Sequence, residues 1–107
     1  MILRRRRFHD LVERQLDLFE DETDLLAEAA ETDAAWSSAA AEQSEELYGD
    51  HQLVVDAIGD ALSETRETYA ATLDESTAEE YRAAFDAAAH KRFGRYASAL
   101  LEGREWR

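Results

Sequence analysis

The side chains best suited to chemistry in this sequence are its three histidines and its many carboxylates. His9, His51 and His90 are widely spaced, and no glutamate stands three positions before any of them, so the Glu-x-x-His signature of di-iron bundles is absent. The run from Glu20 to Asp24 is rich in carboxylates but lacks the Asp-x-Asp-x-Asp-Gly order of a calcium loop. These patterns predict neither a metal centre nor a cofactor.

Other routes to catalysis are also missing from the sequence. The chain has no cysteine, which excludes a disulfide framework, a thiolate metal site and a cysteine nucleophile. No glycine-rich phosphate loop and no nucleophile elbow accompany its hydroxyl residues. We therefore predict a protein that is not an enzyme and has no small-molecule substrate. An enzyme with an unrecognised site around His51 and Glu22 stays open as an alternative.

His51 is the histidine whose position needs an explanation, because it falls within an apolar helical face. That face repeats at spacings of three and four residues and consists of Leu47, Val54, Val55, Ile58, Leu62, Tyr69 and Leu73. A buried imidazole must find hydrogen-bond partners. The pattern predicts a hydrogen-bonded core or boundary histidine, with a ligand contact or a pH-sensitive switch as alternatives.

The elements that would position these residues are helices. Proline is absent and there are 4 glycines, so little interrupts a helix. Length favours one domain over residues 1–107. We predict an all-α, up-down-up antiparallel three-helix bundle with long helices at about 6–33, 45–72 and 76–102, preceded by a basic arm at 1–7. Capping boxes beginning at Ser76 and Thr77 are expected to start the third helix.

Three further positions on these helices are informative. Leu53 projects to the side of the second helix opposite its apolar face, as an isolated exposed leucine or as a partner contact. Gly59, in the middle of that helix, suggests a close approach between helices. Gly94 and Gly103 each offer an end to the third helix, and the apolar face favours the longer version, ending near Glu102.

Charge is strongly segregated along the chain, whose formal net charge is −13. Residues 1–7 are basic, residues 8–89 carry 23 acidic residues against three arginines, and residues 90–107 are again basic. We expect Arg4 to Arg7 to lie near the segment 74–80, and the basic end of the third helix to lie near 33–46. The alternative is that these cations bind the phosphate backbone of a nucleic acid or an anionic lipid surface. The candidate interaction residues are Arg4, Arg5, Arg6, Arg7, His51, Leu53, Lys91, Arg92 and Arg95.

The basic residues comprise one lysine, Lys91, and eleven arginines. With its abundant Asp and Glu and segments such as Leu16 to Glu20 and Tyr81 to Phe85, the chain resembles the small, acidic, all-helical proteins of haloarchaeal genomes. The resemblance implies a high-salt cytoplasm, where a Debye length of about 3 Å screens self-repulsion. It assigns no functional residue.

No secretory signal and no membrane span is predicted, because the basic N-terminus is not followed by a long apolar run. We expect a cytoplasmic helical interaction module or adaptor that binds a protein partner or forms a homodimer. A nucleoprotein or ribosome-associated accessory protein, docking through Arg4 to Arg7 and His90 to Arg95, is the alternative.

Overall fold

A computed structural model describes residues 7–98 and residue 100 of the chain. The described residues form four α-helices and no strand: α1 is His9–Glu22, α2 is Leu25–Ser37, α3 is Ala41–Ala70 and α4 is Glu75–Phe93. A 3-10 turn, Gly94–Ala97, follows α4. The prediction of an all-helical protein is confirmed, but the three-helix bundle is wrong because the first predicted helix is two helices. Residues 1–6 of the basic arm lie outside the described residues.

Thr23 divides the first predicted helix, 6–33, into α1 and α2. Its extended backbone, with φ −104° and ψ 146°, ends α1, and its N–H donates the last hydrogen bond of that helix, to the Phe19 carbonyl at 3.0 Å. Its hydroxyl accepts from the N–H of Leu25 at 3.2 Å, the arrangement of a threonine that caps the start of a helix. The apolar periodicity continues across the break, so periodicity alone predicted a single helix.

α1 lies parallel to α4, as two aromatic contacts show. Near the start of both helices the rings of Phe8 and Tyr81 meet edge to face at 5.5 Å. Near their ends Phe19 and Phe93 meet in the same way at 5.6 Å. Contacts therefore advance in the same direction along α1 and α4.

α3 runs antiparallel to both α2 and α4. The Trp36 ring, near the end of α2, lies 4.9 Å from the Tyr48 ring near the start of α3. At its other end, α3 places Tyr69 4.8 Å from Tyr81 of α4. Both connections are short, residues 38–40 and 71–74, as expected between antiparallel neighbours. α3 begins at Ala41, earlier than the predicted residue 45, because Ala41, Glu42 and Gln43 are good helix formers.

The core receives side chains from all four helices. Its largest fully buried members are Tyr81, Phe85, Leu16, Ile58, Leu62 and Val12. Ile58 and Leu62 belong to the apolar face predicted for the second helix, and Gly59 beside them is also buried. Among the described helices none is long and apolar enough to cross a bilayer.

Asp74 caps the start of α4, so the predicted caps at Ser76 and Thr77 are wrong. The Asp74 carboxylate accepts from the backbone N–H of Thr77 at 3.0 Å. It also accepts from the hydroxyls of Thr77 and Ser76, at 2.9 and 3.1 Å. These hydrogen bonds, led by that from the Thr77 N–H, hold the pKa of Asp74 below its ordinary value. The Asp74 carboxylate thus lies at the positive end of the helix dipole, and both hydroxyls donate hydrogen bonds to it.

α4 ends at Phe93, where Gly94 takes a φ of +58°. This left-handed region favours glycine, and the chain continues as a 3-10 turn. The predicted uninterrupted helix to about Glu102 is therefore broken at the first of the two glycines. Glu102 and Gly103 lie outside the described residues.

Candidate interaction groove

Arg92, one of the predicted interaction residues, fastens α4 to α1. Its guanidinium donates to Asp17 and Glu20, each at 2.8 Å, and to Glu13. The three carboxylates follow one another at spacings of three and four residues on α1, so one arginine reaches all of them. Arg92 is thus engaged within the molecule.

Two other predicted cations also have carboxylate partners in the chain. Arg7 donates to Glu80 at 3.4 Å, and Arg95 donates to Asp33. The expected neighbourhoods, 74–80 for the first basic cluster and 33–46 for the second, are thus found for Arg7 and Arg95, whereas Arg92 of the second cluster lies against α1 instead. Lys91 is exposed on α4. Arg4, Arg5 and Arg6 lie outside the described residues.

A buried ion pair between α3 and α4 was not anticipated from the sequence. Arg66 Nη1 lies 2.7 Å from Asp86 Oδ1, and the two side chains are 8% and 5% exposed. Arg66 Nε also donates to Glu67, at 2.8 Å. Arg82 donates to the same glutamate and holds the pKa of Glu67 below its ordinary value. The sequence does contain one signal for the burial of Arg66. This arginine follows Leu62 by four residues and therefore falls on the same, buried face of α3.

His51 is a hydrogen-bonded core histidine, as predicted, and is 5% exposed. Its Nδ1 lies 2.8 Å from the Thr32 hydroxyl oxygen, which donates its own hydrogen to the Ala29 carbonyl at 3.1 Å. Since a hydroxyl has a single hydrogen, we assign the donor role in the shared bond to the imidazole Nδ1–H. The ring stacks on Trp36 and meets the edge of Tyr96, with centroids 6.1 Å away in each case.

An open groove separates α1 from the C-terminal half of α3. One part has a volume of about 630 Å³, and an adjoining part of about 380 Å³ shares Gln15, Phe19, Ala61 and Thr65 with it. We call the two together the α1–α3 groove. Its lining residues are Gln15, Leu18, Phe19, Glu22, Thr23, Ala61, Glu64, Thr65, Thr68, Tyr69 and Thr72.

The groove exists because α1 and α2 pack against different helices. α2 lies along α3, whereas α1 packs against α4 and has only slight direct contact with α3. The break at Thr23 lets the two helices take these different courses. Opposite α1, the side chains of Ala61, Thr65 and Thr68 are too short to fill the space.

The apolar lining is held by contacts behind it. Phe19 is fixed by Phe93, and Tyr69 packs on Tyr81. Gln15 accepts from the Tyr81 hydroxyl at 2.8 Å. Burial raises the pKa of Tyr81 to about 12, so this phenol stays protonated and can donate throughout the physiological range.

Leu18 adds exposed apolar surface to the groove, since 50% of it is accessible. Glu22 and Glu64 are the two carboxylates in the lining, and no described lining residue is a cation. The arrangement suits a ligand that has a large apolar surface and carries no negatively charged group next to that surface.

The remaining predicted residues are not brought together at the groove. Leu53 is 70% exposed on α3, as its position opposite the apolar face predicted, and it does not line the groove. Glu22 lines the groove, whereas His51 contacts Thr32, Trp36 and Tyr96. His51 and Glu22, the two residues of the alternative enzyme site, thus have different neighbours in the structure. Within the described residues, no group of three or more His, Cys, Asp or Glu side chains could hold a metal ion.

In comparisons with known proteins, no family model, curated protein or solved structure matches the chain.

Proposed function

We propose that the protein is a non-enzymatic helical interaction module whose α1–α3 groove receives a helix from another protein. The observation that carries the proposal is the apolar lining left open between two helices, with Leu18 and Phe19 on one side and Ala61 and Tyr69 on the other. An amphipathic helix laid into such a groove is a recurrent mode of protein recognition.

The dimensions of the groove suit a helix. Along α3 its lining runs from Ala61 to Tyr69, which at 1.5 Å per residue is about 12 Å, or just over two helical turns, and Thr72 lies just beyond the end of the helix. A partner helix of that length presents apolar residues at positions i, i+3, i+4 and i+7 on one face. Such a face would pack against Phe19 and Tyr69 and fill the space that the threonines leave.

Docking on nucleic acid through the basic residues receives less support. Arg7, Arg92 and Arg95 are paired with carboxylates of the same chain. A phosphate ligand would have to replace those carboxylates, each of which links two segments of the chain that are distant in sequence. The groove requires no such exchange.

The proposal is tested by blocking the groove. The probe is a synthetic helix with a leucine stripe at i, i+3, i+4 and i+7 and glutamine at its flanking positions, titrated into ¹⁵N-labelled protein. We expect amide shifts to change at Gln15, Phe19, Ala61 and Thr65. Ala61→Trp should abolish these changes because the indole would occupy the groove.

The matched control is Ala83→Trp, the same replacement at an exposed position of α4 that does not line the groove. This variant should bind the peptide like the unmodified protein. Shift changes confined to other surfaces, or equal binding by both tryptophan variants, would contradict the proposed function.

A further inference from the structure

We infer that the helix received by the α1–α3 groove is cationic along both borders of its apolar stripe. The inference rests on the proposed function and adds the chemistry of the partner. It follows from the distribution of ion pairs over the described residues, from the charge of the groove border and from the small side chains of α3.

The arginines of α4 neutralise carboxylates away from the groove. Arg92 is bonded to three carboxylates of α1, and Arg82 to Glu67 and Glu79. By contrast, neither Glu22 nor Glu64 has a basic partner within ion-pair distance among the described residues. Within the described part of the chain, the groove is therefore bordered by carboxylates without a compensating cation.

The two carboxylates stand on opposite sides of the groove. Glu22 belongs to the last turn of α1, and Glu64 belongs to α3. A helix lying between them would meet one carboxylate on each side of its apolar stripe. Lysine or arginine on both borders of that stripe would complement them, and acidic residues there would be repelled.

The carboxylates at the edges of the groove disfavour a second copy of this chain as the partner. An isologous contact places the same patch on both subunits, so each groove would face the carboxylates of the other. The segment 8–89 carries 23 acidic residues and three arginines, which adds repulsion between the bodies of two copies. Charge therefore favours a different protein as the source of the helix.

The apolar stripe of the partner helix must carry large side chains. Ala61, Thr65 and Thr68 give α3 a shallow surface, so leucine, methionine or phenylalanine at the centre of the stripe would reach Phe19 and Tyr69. Large apolar anchors in the middle of an interface, with charged groups at its border, are the usual distribution of binding energy.

Three synthetic helices of about 18 residues, long enough to be partly helical alone, provide the test. They share one leucine stripe and carry lysine, glutamine or glutamate at the flanking positions. Kd is measured by titration into the full chain at low ionic strength. Two exposed ion pairs predict binding of the lysine helix about tenfold tighter than that of the glutamine helix, with the glutamate helix weakest.

The double variant Glu22→Gln/Glu64→Gln should reduce the preference for lysine to about twofold or less, since two exposed ion pairs are lost. Its matched control is Glu28→Gln/Glu45→Gln, which changes the net charge equally at exposed positions that do not line the groove. The control should keep most of the preference. An equal loss in both variants would trace it to the overall charge and overturn the inference.

The remaining outcomes separate this inference from the proposed function. If the lysine and glutamine helices both shift the groove amides with equal Kd, the inference fails and the proposed function stands. If none of the three helices shifts the groove amides, both fail. If the protein sediments as a dimer and Ala61→Trp makes it a monomer, the occupant is a second copy and the inference is overturned.

Discussion

The C-terminal half of α3 has two sides that differ in what they contact. Toward the core it buries Ile58, Leu62 and Arg66, whereas toward α1 it presents Ala61 and Thr65 to an open groove. Both sides belong to one continuous helix, so helix propensity cannot account for the difference. The difference is explained by side-chain volume and by the course of α1. As a result, one side of α3 stabilises the fold and the other remains available to a ligand.

Tyr81 of α4 is fully buried behind the groove lining, and its contacts show how the core stabilises the fold. Its ring contacts those of Phe8, Tyr69 and Phe85, with centroids 5.5, 4.8 and 6.0 Å away. Aromatic pairs of this kind contribute about 0.5–1.5 kcal/mol each beyond the burial of their surface. Substitutions in the core should therefore change stability, while substitutions in the groove should change binding.

The largest expected effect is that of Asp86→Asn, which removes the charge that faces Arg66 on the core side. Removing one member of a buried ion pair costs about 3–5 kcal/mol because the other charge stays buried. We expect the lower end, about 3 kcal/mol, because Glu67 still accepts from Arg66 Nε. Urea unfolding followed by circular dichroism measures the loss of unfolding free energy.

Glu64→Gln on the groove side is the matched control for Asp86→Asn, since both exchange a carboxylate for its amide. Glu64 is exposed and has no basic partner among the described residues, so we expect a change within about 0.5 kcal/mol. Equal losses in the two variants would mean that the two sides of α3 do not differ as the geometry requires.

The next effect concerns pH and the burial of Tyr81. The folded pKa of about 12 lies above the ordinary tyrosine value of about 10, so the unfolded chain loses this proton first as pH rises. The contribution is fully present below about pH 10 and is lost progressively toward pH 12. We therefore expect the unfolding free energy to fall across this alkaline window.

Tyr81→Phe isolates that contribution. At neutral pH it should cost about 1 kcal/mol, because the hydrogen bond to Gln15 is lost. It should also make the alkaline fall of the unfolding free energy less steep. Tyr48→Phe, at a half-exposed ring on α3, should leave both unchanged, and an identical alkaline profile in the two variants would argue against burial of Tyr81 as the cause.

Contacts that follow from position on a helical face could be predicted from the sequence. The apolar face of α3 and the hydrogen-bonded place of His51 within it are both present in the structure. The charge segregation likewise predicted the neighbourhoods that bring Arg7 to Glu80 and Arg95 to Asp33. These features depend on sequence spacing or on charge patterns that extend over many residues.

The groove could not be predicted in the same way, because it depends on a break that the periodicity does not register. Thr23 ends one helix through its extended backbone and caps the next through its hydroxyl, without a proline or glycine to mark the place. The pairing of Arg66 with Asp86 is similarly specific, since it needs the register between α3 and α4. Both features are set by how the helices are placed relative to one another. The residue pattern of a single helical face carries no information about that placement.

An effect of similar size is expected at the break between α1 and α2, from which the groove originates. Thr23→Ala removes the hydroxyl that accepts from the Leu25 N–H, and loss of such a cap costs about 1 kcal/mol of unfolding free energy. It should also weaken binding of the lysine-flanked helix, because the break at Thr23 orients the α1 side of the groove. Thr68→Ala makes the same replacement within α3, where alanine is the better helix former, so its stability should be unchanged or slightly raised. If urea unfolding gave the two variants the same stability, the course of α1 would be set by its contacts with α4, chiefly Arg92 and Phe93, and not by Thr23.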